Sequence, residues 1–304
     1  MRKFKLNIMK QDILVVGDTL AEKLSKKIAG EYLKVEYRKF FDGELKVRIP
    51  GIRKAKWGIL MIDLNQDQNI NEYLLNFLFL SQKLREVCDK VVGVMTYLPY
   101  KRQDKEFLKG EVVSSMVVAK MIEKNLNYFI TLDSHEHRLK IYDIFKIKVF
   151  NESMFMDLGK EFLDFDKKDT LVVGPDSESK AFVEKFCKFN NFNSIILPKK
   201  RDTKTGEVVI NIKNKNAFLN KDVIIVDDVS ASGGTIFKLL DLMESLKVKS
   251  ESVVLSHGLF IGDVEAKLKQ RKLKRIVTSN TILNEFMKVD CTEVISERIK
   301  KIIK

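Results

Sequence analysis

The chain has little of several things. Its 304 residues include four prolines, three cysteines, three histidines and one tryptophan. Cys88, Cys187 and Cys291 lie far apart and are odd in number, which excludes a disulfide framework and a CxxC metal knuckle and points to a reducing, cytoplasmic setting. Pro99, Pro175 and Pro198 each follow an apparent strand, and no Pro/Gly-rich stretch separates one part of the chain from another, so compact loops are expected rather than tethers. The longest apolar clusters, such as LLNFLFL at 74–80, are far shorter than the roughly 18 residues of a membrane span. The first residues scatter their charges and lack the apolar core and cleavage site of a secretion signal. Neither membrane insertion nor export is expected.

What is present is enough for real cores: 45% hydrophobic and 32% charged residues over a length that suits two compact halves. The formal net charge is +13, carried by 44 lysines against only 11 arginines. Base reading and forked phosphate recognition favour arginine, so this excess reads as a solvated lysine surface. No basic tail or aromatic-rich RNA motif accompanies it. Small anions are therefore the expected partners, and nucleic acid is not.

Short β-branched runs recur at 13–17, 57–62, 91–97, 128–133, 170–176, 223–228 and 252–258, with helical patterns between them. Leu74, Leu75, Leu78 and Phe79 mark one predicted helix face, and Val113, Met116, Val117, Met121 and Ile122 mark another. This alternation predicts an α/β fold with mostly parallel sheets flanked by helices, in which ligands bind where strands end. The pattern restarts near residue 150, giving expected halves 1–150 and 151–304, with the last helix packing back on the first half.

The most informative segment is VIIVDDVSASGGTIFKLLDLM, 223–243. An apolar strand ends in Asp227 and Asp228, and Ser232, Gly233, Gly234 and Thr235 then lead into a helix. Glycines let the backbone turn tightly, and a helix start offers N–H groups to a phosphate. Two carboxylates before it can accept from sugar hydroxyls or hold a divalent cation. Elsewhere the residues alone leave alternatives open. Asp42, Gly43 and Glu44 of FFDGE read as a hairpin turn, and Phe40 either packs in the core or stacks on a ring. Arg102, Gln103, Asp104 and Lys105 of PYKRQDK form a charged loop beyond a strand and a proline. His135 follows a strand in TLDSH, and PKKRDTKTGE at 198–207 is a basic stretch between apparent strands.

Segment 223–243 resembles the phosphoribosyl diphosphate (PRPP) motif shared by type I phosphoribosyltransferases and PRPP synthetases. FFDGE (40–44), PYKRQDK (99–105), TLDSH (131–135), GPD (174–176) and KKR (199–201) occur in the order found in ribose-phosphate diphosphokinase, the PRPP synthetase family. The resemblance spans about residues 12–285 and implies two tandem phosphoribosyltransferase-like domains. It implies nucleotide contacts from Phe40, Asp42, Gly43 and Glu44, supplied by a neighbouring subunit, so a homo-oligomer that is at least a dimer. Arg102, Gln103, Asp104 and Lys105 would meet ATP. His135, Asp176 and Asp133 would serve Mg²⁺. Lys199 and Arg201 would belong to a catalytic flap. Asp227, Asp228, Ala231, Ser232, Gly233, Gly234 and Thr235, with Arg201, would hold ribose 5-phosphate.

The chain departs from the family pattern in places. Ala231 and Ser232 stand where many members have Asp or Ser followed by Thr. Ser177, Glu178 and Ser179 replace small glycine-rich residues after GPD. Lys146 and Phe150 occupy positions that are aspartates in bacterial and animal members, which leans towards a shorter, archaeal-like class. The expected reaction is transfer of the β,γ-diphosphoryl group of Mg-ATP to the anomeric hydroxyl of ribose 5-phosphate, giving PRPP and AMP. A noncatalytic synthetase-associated homologue and a PRPP-binding phosphoribosyltransferase are the rival readings, the second disfavoured by FFDGE and RQD.

Overall fold

The computed structural model describes residues 12–304 apart from 67, 137, 202–207, 211 and 213, and of 199–201 and 208–210 it describes the backbone only. The chain divides into two units, residues 1–152 with 291–304, and residues 153–290.

The first unit contains β1 (Ile13–Gly17), α1 (Thr19–Ile28), β2 (Glu31–Lys34), β3 (Glu36–Lys39), β4 (Leu45–Arg48), β5 (Ala55–Met61), α2 (Ile70–Val87), β6 (Cys88–Met95), α3 (Ser114–Glu123), β7 (Tyr128–Leu132), α4 (Ile141–Ile144) and β8 (Lys148–Glu152). The second contains α5 (Phe155–Lys160), β9 (Thr170–Gly174), α6 (Lys180–Asn190), β10 (Asn193–Ile196), β11 (Lys199–Arg201), β12 (Val208–Ile210), β13 (Asp222–Ser230), α7 (Gly234–Ser245), β14 (Ser250–Gly258), α8 (Val264–Gln270), β15 (Arg275–Ser279) and β16 (Met287–Val289). The final helix, α9 (Thr292–Ile302), belongs to the first unit, where Lys27 of α1 pairs with its Glu293 and Arg298 pairs with Glu152.

Each unit has a six-stranded parallel sheet, ordered β2-β1-β5-β6-β7-β8 and β10-β9-β13-β14-β15-β16. The order is the same, and in both an antiparallel hairpin, β3–β4 or β11–β12, interrupts the chain between the second and third strands to form. The restart of the αβ pattern near residue 150 is thus matched by a repeated topology.

All seven predicted strands are present, and their central residues are buried on both faces, as a parallel sheet covered by helices requires. Ile59, Val92 and Phe129 lie in the first core, and Val223, Ile225, Leu239 and Val253 in the second. The helix faces differ from expectation. On α2 the buried face is Tyr73, Leu74, Phe77, Leu80 and Leu84, whereas Leu75 and Phe79 are exposed. On α3, Val118, Ala119 and Ile122 are buried, and Met116, Val117 and Met121 are exposed. Both helices are apolar over a wider arc than one sheet can cover, so the sequence pattern marks two faces and the chain buries one. Phe40 likewise does not pack in the core; it and Phe41 are exposed. Among the described residues, no helix is long and apolar enough to cross a membrane.

Candidate functional site

The C-terminal edge of the second sheet collects the acidic residues and the glycine loop. Because β9 and β13 are parallel neighbours, Asp176 and the pair Asp227–Asp228 leave the sheet on the same edge. Asp228 is buried, and its Oδ1 accepts the Val229 N–H at 2.7 Å, while Asp227 Oδ1 accepts the Asp228 N–H at 3.0 Å. The chain then turns through Ala231 and Ser232 into Gly233, whose φ of +71° lies in the left-handed region. A Cβ there would come within 2.5 Å of the Phe237 ring, so the turn requires glycine. The loop is tied from behind by Leu259 and Phe260 N–H groups donating to Ser230 O, and by Ile261 N–H donating to Ala231 O. Its other side carries exposed Ser232, Gly234 and Thr235, and among the described residues no side chain caps α7. The first-turn N–H groups and the positive end of a 12-residue helix therefore face outward, an arrangement suited to a phosphate.

Asp176 is half-buried. Its Oδ1 accepts the Glu178 N–H at 3.0 Å, and Ser179 Oγ donates back to its carbonyl at 2.6 Å. The Ser177–Ser179 departure thus forms a short turn hooked onto the strand end. Lys199 and Arg201 sit on β11, but their side chains and residues 202–207 lie outside the described residues.

On the first sheet, β6 and β7 are parallel neighbours, which puts the 99–105 and 133–140 loops on one edge. They are stitched together. Lys101 is buried and donates to Leu139 O at 2.8 Å, and Asp104 accepts from the Arg138 backbone N–H and guanidinium, both at 3.1 Å. Burial pushes the Asp104 carboxyl up, yet the Arg138 hydrogen bonds and charge outweigh it and hold the group below the usual carboxylate range. Asp104 is therefore committed to holding the loop, not turned towards a ligand. Neither Lys101 nor Arg138 was singled out in the sequence, because their partners are brought in from another loop by the sheet. Arg102 and Lys105 are exposed, and Gln103 Nε2 donates to Glu111 Oε2 at 3.2 Å. His135 is half-buried beside Asp133, which is buried at a φ of +36°, uncommon for a residue with a side chain.

FFDGE is the tip of the β3–β4 hairpin. Phe40 N–H donates to Glu44 O at 2.8 Å, and Gly43 supplies the φ of +95° that closes the turn. Tyr37 OH donates to Asp18 Oδ2 at 3.0 Å and Lys39 pairs with Glu72 of α2, which anchors the hairpin. Among the described residues, no hydrogen bond or ion pair links Asp42 or Glu44 to Arg102 or Lys105.

Asp18 and Asp63 form a second feature missed in the sequence. They end β1 and β5, two adjacent strands; Asp63 accepts the Thr19 and Leu20 N–H groups of α1, each at 3.1 Å, and donates its own N–H to Asp18 Oδ2. Burial raises both carboxyls, Asp63 to about 6. The available signal was an aspartate directly after each apolar run. Among the described residues, no cluster of three His, Cys, Asp or Glu side chains forms a ready cation cage.

Residues 14–125 match the family model of the N-terminal domain of ribose phosphate pyrophosphokinase, and residues 157–291 match that of the phosphoribosyl transferase domain. Among curated relatives, the ribose-phosphate pyrophosphokinase of Saccharolobus solfataricus is 26% identical over 89% of this chain and 93% of its own. Ribose-phosphate pyrophosphokinase 2 of Archaeoglobus fulgidus is 28% identical over 92% and 96%. The solved structure of phosphoribosylpyrophosphate synthetase from Mycobacterium smegmatis has the same fold, with a TM-score of 0.81, 19% identity and coverage of 96% of this chain and 99% of that one.

Proposed function

This chain belongs to the ribose-phosphate pyrophosphokinase family, and we propose that it joins ATP and ribose 5-phosphate to form PRPP and AMP with the side chains described above. The observation that carries the residue assignment is the glycine-entered N-terminus of α7, which starts at Gly234 once the strand bearing Asp227 and Asp228 has ended at Ser230. It offers N–H groups to the 5-phosphate on the same sheet edge as two carboxylates that can meet the sugar.

In this reading Ala231, Ser232, Gly233, Gly234 and Thr235 bind the 5-phosphate, largely through backbone N–H groups, which is why Ala231 is tolerated. Asp227 and Asp228 accept from the ribose hydroxyls. Arg102 and Lys105 meet the nucleotide, with Gln103 beside them and Asp104 holding their loop through Arg138. Phe40, Asp42, Gly43 and Glu44 reach the nucleotide of a neighbouring copy, so the working protein is a homo-oligomer, at least a dimer. The anomeric oxygen attacks the β-phosphorus, the bond from that phosphorus to the α-phosphate oxygen breaks, AMP leaves, and the hydroxyl proton passes to solvent. Lys199 and Arg201 neutralise charge on the transferred group, the main work in a reaction that needs little covalent help.

Enzymes of this family generally use a divalent metal. Asp133 with His135 on the first sheet, and Asp176 separately on the second, each offer one or two donors, and each fits a Mg²⁺ ion, which takes one or two protein ligands and completes its shell with phosphates and water. When bound, the cation would supply charge neutralisation along the polyphosphate. The assay is AMP release from purified protein with Mg-ATP, with and without ribose 5-phosphate. AMP that depends on the sugar phosphate is expected. Its absence, with binding of both compounds retained, would assign the chain to the noncatalytic homologues.

A further inference from the structure

We propose that Asn284, two strands further along the chain than the phosphate loop, is a positioning residue for ribose 5-phosphate. It anchors the strap on which residues 230–235 hang, a role that rests on the assignment of that loop to the 5-phosphate.

A phosphate held by backbone N–H groups is placed only as well as the backbone that offers them. Here that backbone hangs on residues 259–261: Leu259 and Phe260 N–H groups donate to Ser230 O at 3.0 and 3.1 Å, and Ile261 N–H donates to Ala231 O at 2.9 Å. Gly233 leans on the continuation of the same strap, since a Cβ there would come within 3.2 Å of Val264, the first residue of α8. At the middle of the strap Phe260 is fully buried in the second core and has a φ of +43°. A bulky side chain in that region is strained and persists only where its surroundings hold it.

Those surroundings centre on Asn284. Its buried amide donates from Nδ2 to Gly258 O at 3.4 Å and to Ile282 O at 2.9 Å, while Oδ1 accepts the Thr278 hydroxyl at 3.0 Å and the Phe286 N–H at 2.9 Å. Every bonding position of the side chain is used, which makes it a rigid joint. The joint is also tightly packed. A Cβ on Gly258 would come within 2.5 Å of the Phe260 ring and 2.8 Å of Asn284 Nδ2, so the strap begins at a position only glycine fills. The Phe260 ring meets Phe286 edge-on, with centroids 5.8 Å apart, and Thr278 N–H donates to Phe286 O at 3.0 Å. Beyond the strap, Glu285 N–H donates to Glu265 Oε1 of α8 at 3.1 Å. Residues 284–286 thus bolt both ends of the strap to β15.

Removing the amide would leave Gly258 O, the Thr278 hydroxyl and the Phe286 N–H without this partner in a buried place, where an unmade hydrogen bond is costly. A shift of the strap relieves both that cost and the strain at Phe260, and the N–H groups hung on the strap move with it. Misplacement by about 1 Å through a remote change can cost about 100-fold in rate. Arg102 and Lys105 belong to the other unit and share no hydrogen bond with the strap among the described residues, so the nucleotide is not on this path.

Calorimetric titration of ribose 5-phosphate into the full chain, with Mg²⁺ and the α,β-methylene analogue of ATP present, reads the effect apart from turnover. Asn284→Ala is expected to bind the sugar phosphate about 10-fold or more weakly and to raise its KM likewise, with the KM for ATP unchanged. Thr278→Val and Thr278→Ser separate position from packing. The first keeps the volume and loses the hydroxyl bonded to Asn284; the second loses a buried methyl and keeps the hydroxyl. Thr278→Val should bind about 3-fold more weakly, and Thr278→Ser should bind like the wild type even where it melts lower. Asn190→Ala removes another buried amide of the second unit, one bonded within its own helix to Phe186 O, and should lower the melting temperature without changing the affinity. If Asn284→Ala fails to fold, the Thr278 pair decides alone. Affinity that follows melting temperature across the variants, or an Asn284→Ala chain that binds like the wild type, would overturn the positioning role. A wild type that binds no ribose 5-phosphate would overturn the loop assignment and the role with it. The expected ranking of affinities without any AMP formation would sink the reaction and leave the role.

Discussion

At the third strand of each sheet, β5 and β13 run through acidic ends into a helix, and the two units then treat that helix differently. In the first, Asn69 Oδ1 accepts the Asn71 and Glu72 N–H groups and closes the start of α2, while Asp63 closes the start of α1. In the second, Gly233 enters α7 and among the described residues no side chain caps it. The same topology thus yields, after the third strand, a side-chain-capped helix in one unit and a glycine-entered one in the other. The carboxylates follow the same division. Asp18 and Asp63 are raised by burial beside each other. Asp222, at the opposite end of β13, is also pushed up by burial, but hydrogen bonds from Ser250, Lys274 and Lys249 hold it below the usual range. The hairpins inserted at the same point have diverged too, one carrying FFDGE and the other Lys199 and Arg201. A duplicated architecture here differs between its halves in caps and loop residues and not in the sheet.

The largest expected effect lies in the second hairpin. Lys199→Ala should lower the turnover rate about 1,000-fold or more, since a cation on the transferred group is commonly worth that much; an unchanged rate in the AMP assay would remove the flap from the comparison.

Next is the acidic pair of the first unit. Because Asp63 has a folded pKa of about 6, above its ordinary 3.8, its contribution to stability is fully present below about pH 4 and is lost as pH rises through about 6. The loss is up to about 3 kcal/mol. Urea unfolding of wild type and Asp63→Asn at about pH 4.5 and about pH 7 should show the variant gaining on the wild type at the higher pH. A pH-independent difference would mean the carboxyl is not held protonated by burial.

Gly233→Val should follow, lowering kcat/KM for ribose 5-phosphate about 100-fold by displacing the loop, with a smaller change in the KM for ATP. Equal losses for both substrates would blur the division of labour between the units. The smallest effect belongs to Asn69→Ala, which should cost about 1 kcal/mol of stability through the lost cap and leave the KM for ribose 5-phosphate unchanged. A phosphate-dependent gain in its melting temperature would show that the first unit also hides an anion site once its cap is gone.

Much of this was legible in the sequence. β-branched runs at 13–17, 57–62 and 223–228 are strands because a parallel sheet buried on both faces accepts little else, and the glycine pair at 233–234 marks a helix entry that only a small residue can make. The shorter edge strands β2, β10 and β16 were not legible, since half-exposed edges carry mixed residues such as EYLK and NSII. The apolar faces named for α2 and α3 match the buried ones only in part: Leu74 and Ile122 are buried, whereas Leu75, Phe79, Met116, Val117 and Met121 are exposed. Periodicity reports that a face is apolar but does not say which apolar face the sheet takes, and Leu75, Phe79, Val117 and Met121 are the ones it leaves.

By itself the sequence determined the α/β layering, the order of the motifs and the family, because hydrophobic period and motif spacing are local properties of the chain. Only the tertiary structure decided that Asp104 is spent on Arg138, that Asp18 and Asp63 meet, that Asn69 caps α2 where no described side chain caps α7, and that Phe41 stands clear of its own core. Each of these depends on residues far apart in the chain or on which surface remains uncovered. Such facts come into being when strands pair and helices choose a side.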